Sequence, residues 1–405
     1  MQSDHFLLAA APHLSSRWRR QYVERLTGWF AAHHRDLPWR QTHDPYAIWL
    51  SESMLQQTQV ATVIDYYHRF LERFPSVQSL AEAEEADVLG LWAGLGYYRR
   101  ARQLHAAARQ VVTDHNGQFS DDVQVLMTLP GIGRYTAGAI VSIAFDKPAP
   151  IVEANTERLF ARLLCLKESP RSTGGSALLW QFAQWQLPRG PGPGARQINQ
   201  AAMELGSLIC KPLKPLCTKC PLVSQCPTAM LGLQATIPLP KPKKEFTSLH
   251  HVALLIEQKD HWLIRMNPPG AWWTGLWDFP RVDVTTPEGV NTQSTTALDT
   301  IACERIEAAA MEQLGLIMQA GAPLFSLSHG VTRYRIKLDC IQATYAHISD
   351  SGERADSHRP TQLRGSRPVD SPILAPDGWR WSTRDEIAQL PLTAPARKIL
   401  NRLPP

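Results

Sequence analysis

The chain has 405 residues, of which 44% are hydrophobic and 20% charged, the balance of a folded protein long enough for two domains. No run approaches the roughly 18 apolar residues of a membrane-crossing helix, so no membrane partner is expected. The net charge of +5 fits a polyanionic partner without requiring one.

The N-terminal "MQSDHFLLAAAPHLSSRWRR" sets Asp4 ahead of a short apolar patch and arginines after it, the wrong order for a secretory signal. A cytosolic location is therefore expected, nucleoid-associated in a bacterium. From Tyr22 to about Ile209 apolar residues recur at three and four, as in "LHAAARQVVTDH", and the pattern predicts helices broken at Gly and Pro. "YAIWLSESMLQQTQVATVI" (46–64) reads as one helix with Glu52, Gln56 and Gln59 on one face, beside Trp49 and Leu55. A carboxylate and two amides among apolar walls suit a base-binding pocket, although a solvated polar stripe has the same spacing.

"LPGIGRYTAGAIVSIAF" (129–145) joins two helical stretches through a turn containing Gly131 and Gly133. Such a turn lets a phosphate approach backbone N–H groups at a helix N-terminus, with the small Ala137, Gly138 and Ala139 allowing close packing. In "PIVEANTERLFARL" (150–163) a strand-like run ends at Glu153 and Asn155, followed by a helix. The loop "CKPLKPLCTKCPLVSQC" then spaces Cys210, Cys217, Cys220 and Cys226 as C-x6-C-x2-C-x5-C, with Lys211, Lys214 and Lys219 within it. A structural zinc site usually takes two tight knuckles well apart, whereas four thiolates in one short loop can wrap a cluster with an iron at each corner. Cys165, Cys303 and Cys340 stand alone in apolar contexts and read as core.

"IPLPKPKKEF" (237–246) reads as an extended linker, giving a helical domain over 1–236, a linker over 237–247 and a second domain over 248–405. Beyond it, "SLHHVALLIEQKDHWLIRM" and "TRYRIKLDCIQATY" predict strands around the helical "TTALDTIACERIEAAAMEQLG", a small α+β domain. The polar stretch 348–372 reads as a mobile loop.

The cysteine spacing and the Leu-Pro-Gly-Ile-Gly hairpin resemble the endonuclease III/MutY superfamily of DNA glycosylases, and "WLSESMLQQTQ" resembles the MutY adenine glycosylase signature. The resemblance implies a multi-domain chain: an all-α helix-hairpin-helix glycosylase domain with an iron–sulfur loop, then an α+β MutT/Nudix-like domain. It implies a 4Fe-4S cluster that shapes a basic surface rather than performing chemistry. Glu52 becomes the acid that protonates the departing adenine, its pKa raised by burial. Tyr135 stands where lyase members carry a nucleophilic lysine, so base removal without strand cleavage is implied. Glu153 takes the place of the family aspartate that stabilises the sugar cation, with Asn155 beside it. The extra methylene moves its oxygens by on the order of 1 Å, a displacement that can cost about 100-fold.

In "RDLPWRQTHDPYAIW", Leu37, Trp39 and Arg40 are implied to line the pocket around an extruded adenine, with Gln200 of "INQAAMELG" reading its edge. Tyr97 of "GLGYYRRAR" would wedge into the duplex, Gln57 would contact the same base pair, and Arg99, Arg100 and Arg102 suit nearby phosphates. "PPGAWWTGLWDFP" (268–280) resembles the MutT-like domain of MutY. Of the magnesium-binding Nudix box, "AAAMEQLGL" retains Glu312 and loses most carboxylates, which leaves recognition rather than hydrolysis. The family's Phe-Ser-His reader of 8-oxoguanine is matched by Leu327, Ser328 and His329. The implied partner is double-stranded DNA with adenine opposite 8-oxoguanine or guanine, bound by a monomer. A sister glycosylase of different base specificity, or a lesion-binding protein with impaired chemistry, would share most of these features.

Overall fold

The computed structural model describes residues 7–240, 245–286, 300–345, 375 and 378–403, with the side chains of residues 300 and 301 outside the description. The chain divides into two units, Met1–Pro242 and Lys243–Pro405. Ile237, read as the start of the linker, is buried in the core of the first unit, and the second unit's first strand begins at Thr247. The stretch 348–372 lies outside the described residues.

The first unit is helical. Its principal helices are α1 (Ser16–His33), α2 (Pro45–Leu55), α3 (Val60–Arg73), α4 (Arg99–His115), α5 (Arg134–Ala144), α6 (Ala154–Leu164), α7 (Thr173–Trp185) and α8 (Ala195–Leu208). Helix α1 starts where Ser15 Oγ accepts from Trp18 N at 3.1 Å, satisfying one of the first-turn donors. It sets Trp18 stacked on Tyr22 at 5.2 Å, with Phe182 edge-on to both. Fully buried aromatics such as Tyr22, Phe160 and Phe182 anchor this core, and each contributes about 2–3 kcal/mol through burial.

A second cluster of Ile48, Ala139, Ile143 and Ile151 joins α2 to α5 and to the segment leading into α6. Gly138 meets the carbonyl of Pro150 here, not another helix: a Cβ added to it would lie 2.3 Å from that oxygen. Residues 147–153 form neither helix nor strand, so the strand-like pattern produces a packed connector.

The second unit is built on a mixed sheet of β1 (Thr247–Gln258), β2 (His261–Met266), β3 (Trp277–Asp278), β4 (Arg281–Asp283), β5 (Met318–Val331), β6 (Tyr334–Tyr345) and β7 (Trp379–Thr383). The order β3-β2-β1-β6-β5 has β1 parallel to β6 and its other neighbours antiparallel, with β4 on β1 and β7 on β2. Alternate residues of β1 face opposite layers. Val252, Leu254 and Ile256 pack towards α9 (Thr300–Leu314). Ala253 and Leu255 pack towards α10 (Arg384–Gln389) and α11 (Ala394–Leu400). Cys340 belongs to this core; Cys165 and Cys303 are only partly buried.

Gly206 of α8 marks a second close approach, since a Cβ there would lie 2.7 Å from the Asn155 carbonyl oxygen. Gly206→Ala is expected to destabilise the protein by about 1–3 kcal/mol. Gly28→Ala in α1, which has nothing within 4 Å, is expected to stabilise it by about 0.5–1 kcal/mol. Urea denaturation of the two variants checks both signs.

Candidate active site

Helix α2 is capped by Asp44, whose Oδ1 accepts from Tyr46 N at 3.0 Å, and has Pro45 in its first turn. It is buried on almost every side, which takes Glu52 inside with its neighbours. The helix does not run on to Ile64. It stops at Leu55, and α3 begins at Val60, so Glu52, Gln56 and Gln59 do not share a helical face.

The cause of the break is Arg100. Its Nη1 donates to the carbonyls of Ser53 at 2.9 Å, Met54 at 3.1 Å and Gln56. Its Nη2 donates to Thr58 Oγ1, Leu95 O and Gly96 O, each at 3.3 Å. A guanidinium thus satisfies the carbonyls that the helix leaves open at its C-terminus. Gln57 then turns into the left-handed region at a φ of 60°. Arg100, read from the sequence as a phosphate contact, is a structural cap, and Arg102 pairs with Glu85 at 3.0 Å. Of the three arginines only Arg99 is exposed.

A cavity of about 460 Å³ opens beside α2. It gathers the residues proposed for chemistry, Glu52, Glu153, Tyr135 and Asn155, and those proposed for the base, Leu37, Trp39, Arg40 and Gln200. Gln56 and Gln57 reach it as well, while Gln59 is exposed at the head of α3. Trp39 is held edge-on against Tyr67, with ring centroids 5.5 Å apart.

Tyr135, in the first turn of α5, donates its hydroxyl to Glu52 Oε2. Burial pushes the Glu52 carboxyl up to about 7; the Tyr135 hydrogen bond opposes this, the Glu153 charge adds to it, and Arg40 opposes it. Burial, with the two carboxylates, holds the Tyr135 phenol well above its ordinary value.

Glu153 caps α6. Its Oε1 accepts from Thr156 N at 2.9 Å, and its Oε2 from Asn155 N at 2.8 Å and Asn155 Nδ2 at 3.2 Å. Thr156 Oγ1 returns a bond by accepting from Glu153 N at 2.8 Å, which closes a capping box. Burial raises this carboxyl too, against the pull of the two N–H groups and Arg158. Asn155 Oδ1 is fixed by Arg158 Nη2 at 2.9 Å, and Arg158 Nε donates to Cys210 O at 2.5 Å.

The sequence reading missed Glu204 and Arg35, which share the cavity wall. Glu204 is buried on α8, where it accepts from Arg35 and Arg40. The available signal was a carboxylate set between Ala201, Ala202 and Leu205 on the buried side of an amphipathic helix, which demands a cationic partner.

In the hairpin, Leu129 and Ile132 are buried anchors, while Gly131 and Gly133 are exposed. Gly131 has a φ of 76°, and a Cβ there would lie 2.7 Å from Gln103 Cβ. Gly133 caps α5 without a side chain to bond its first-turn N–H groups. Tyr97 is 55% exposed, with a φ of 48°.

The thiols of Cys210, Cys217, Cys220 and Cys226 line one small apolar cavity walled by Leu159, Ile209 and Leu222. Arg162 Nη1 donates to Cys210 Sγ at 3.3 Å. The N–H of Leu222 faces Cys220, and those of Ala229 and Thr228 face Cys226. Burial pushes these two thiols up to about 12 and about 11. Among the described residues no group of three or more His, Cys, Asp or Glu is placed to hold an ion, while the four cysteines line one small apolar space. Four soft ligands in one loop, with N–H donors to sulfur and apolar walls, fit a multi-iron cluster. Lys211, Lys214 and Lys219 are exposed on the loop.

In the second unit β5 presents Ser328 on its exposed side, where it shares an open concavity with Lys398, Asn401 and Arg402. Leu327 faces the opposite way into the core, as strand alternation requires, so it packs the sheet. His329 is half-buried against Trp273 at 5.8 Å, and burial, with Arg281, His251 and Lys398 nearby, lowers it to about 4. Glu312 is exposed on α9.

Residues 50–183 match the family described as HhH-GPD superfamily base excision DNA repair protein, and residues 251–402 match the NUDIX domain. The chain is thus a helical HhH-GPD unit followed by a mixed-sheet NUDIX-like unit. The mouse adenine DNA glycosylase is 47% identical over 214 residues, 51% of this chain and 41% of the mouse protein. The human adenine DNA glycosylase is 46% identical over 210 residues, 50% of this chain and 38% of the human protein. That of Buchnera aphidicola subsp. Schizaphis graminum is 33% identical over 263 residues, 65% of this chain and 75% of the relative. The chain belongs to the adenine DNA glycosylase family. Its match spans about two fifths of the length of the mouse and human relatives.

Because Arg100 serves buried carbonyls, Arg100→Met is expected to destabilise the helical unit by about 3 kcal/mol, whereas Arg99→Met stays within about 0.5 kcal/mol. Urea melting followed by helical circular dichroism compares the two.

Proposed function

We propose that the chain is a monofunctional DNA glycosylase that removes adenine paired with 8-oxoguanine or guanine. The observation that carries this reading is the Glu52 carboxyl, buried, hydrogen-bonded by Tyr135 and facing the same cavity as Glu153. Raised to about 7, Glu52 holds a proton at neutral pH and delivers it to the departing base. Glu153, fixed at the head of α6, offers a negative charge to the sugar cation, and Asn155 orients it. With Tyr135 in place of a lysine amine, no Schiff base forms, and water completes the reaction. Leu37, Trp39, Arg40 and Gln200 give the extruded base apolar walls and polar edges.

On this reading the exposed turn of Gly131 and Gly133 grips phosphates, Tyr97 and Gln57 meet the duplex, and Ser328 and His329 read the opposite base. The four cysteines hold a 4Fe-4S cluster that shapes a basic loop carrying three lysines. A monomer acting in the cytoplasm completes the proposal.

A second reading is favoured by one observation. Both Glu153 oxygens are engaged by the first turn of α6, so a longer carboxylate is committed to capping. In that case the chain binds the mispair and leaves adenine in place.

A single-turnover assay on an adenine–8-oxoguanine duplex, followed by hot alkali, separates the two. The natural chain is expected to leave an alkali-labile site, and Glu52→Gln to lower the rate by about 100-fold or more. Binding without cleavage by the natural chain, restored by Glu153→Asp, supports the second reading. Since the active form of Glu52 is protonated, the rate is expected to fall about tenfold per pH unit above about 7, and to fall again at acid pH where Glu153, its carboxyl raised by burial, takes up a proton. Iron and acid-labile sulfide are expected at about four each per chain, and Cys217→Ser should lose them.

A further inference from the structure

Glu204 and Arg35 have no part in the chemistry proposed above, yet they form the densest polar contact of the cavity wall. Glu204 Oε1 accepts from Arg35 N at 2.8 Å, Arg35 Nε at 3.0 Å and Arg40 Nη1 at 2.9 Å. Its Oε2 accepts from Arg35 Nη2 at 2.6 Å and Arg40 Nη2 at 2.9 Å. One carboxylate, 1% exposed, therefore binds two arginine forks in bidentate fashion. Arg40 Nη1 also donates to Arg35 O at 2.9 Å, which closes the group on itself.

We propose that Glu204 is a positioning residue that sets the charge of the cavity: by holding Arg40, together with Arg35, on one buried carboxylate, it keeps Arg40 from drawing the proton off Glu52. The cluster carries two cations and one anion. Remove the anion, and two guanidiniums on the same wall favour the ionised form of any nearby carboxyl.

Glu204 itself is a fixed charge. Burial would raise it, but the hydrogen bonds of Arg35 and Arg40 override this and hold it near 2. The titratable and charged groups that face Glu52 are Tyr135 from α5, Glu153 from the head of α6 and Arg40 from the turn before α2. Arg100 of α4 faces the last carbonyls of α2 instead. Arg40 thus acts on Glu52 towards proton loss, and Glu204 is its counterweight.

A strut joining α8 to residues 35–40 would make the same contacts, so the test must read protonation. The excision readout rests on the glycosylase reading; the spectroscopic one does not. The protonated-carboxyl infrared band that Glu52→Gln removes is titrated in the full chain. Glu204→Gln is expected to lower its midpoint by about one pH unit. Arg35→Gln should raise it, the double variant should return it towards the natural value, and Glu204→Asp should hold it. In single-turnover excision, Glu204→Gln should lose roughly tenfold at about pH 8 and little at about pH 5.5.

Equal losses at every pH with unmoved midpoints would show a strut and overturn the proposal. Should Glu204→Gln fail to fold, Arg35→Gln decides alone, and a midpoint that stays or falls overturns it. Shifted infrared midpoints in a chain that excises nothing support the proposal while removing the glycosylase reading.

Discussion

A carboxylate taken out of water must be neutralised, hydrogen-bonded or paired, and three carboxylates around one cavity meet that requirement in three ways. Glu52 is surrounded by apolar walls and meets a phenol, so it keeps its proton near neutrality. Glu153 sits on helix N–H groups, which supply the positive end of a dipole. Glu204 is ion-paired twice over and stays charged. The same functional group is thereby made into a proton store, a helix cap and a permanent counter-charge. The rest of the helical unit maintains the differences among them.

Those differences depend on close approach. Gly138 brings α5 against the Pro150 carbonyl, which fixes the connector that delivers Glu153. Gly206 brings α8 against Asn155, which places Glu204 and Gln200 on the wall facing Glu52. Helix α6 then runs from its cap Glu153 to Arg162 beside Cys210, so one rigid element carries both the second carboxyl and the scaffold of the cysteine loop.

Much of this was legible in the sequence because it lies in local patterns. The helical periods, the hairpin with its two glycines and the cysteine spacing each occupy a short window. The residues proposed for chemistry and for the base, with Gln56 and Gln57 among them, line one cavity. What escaped was set by distant contacts. The break after Leu55 has no proline or glycine to announce it, because an arginine far along the chain takes the helix's last carbonyls. Strand β5 was unread since Pro323 and the register shifts around it interrupt its alternation. Leu327 was grouped with its neighbours by motif, while the pleat of the strand turns it to the core.

The six acceptors around Arg100 come from the end of α2 with the turn after it and from the turn before α4, two segments that otherwise have no covalent reason to keep a fixed spacing. One guanidinium makes the turn of Gln57 and the turn of Tyr97 parts of a single body. The conformational entropy of both turns is thus surrendered when the chain folds rather than when a partner arrives. A surface arranged in this way meets its ligand already ordered, and the binding free energy it develops is not diminished by having to shape it.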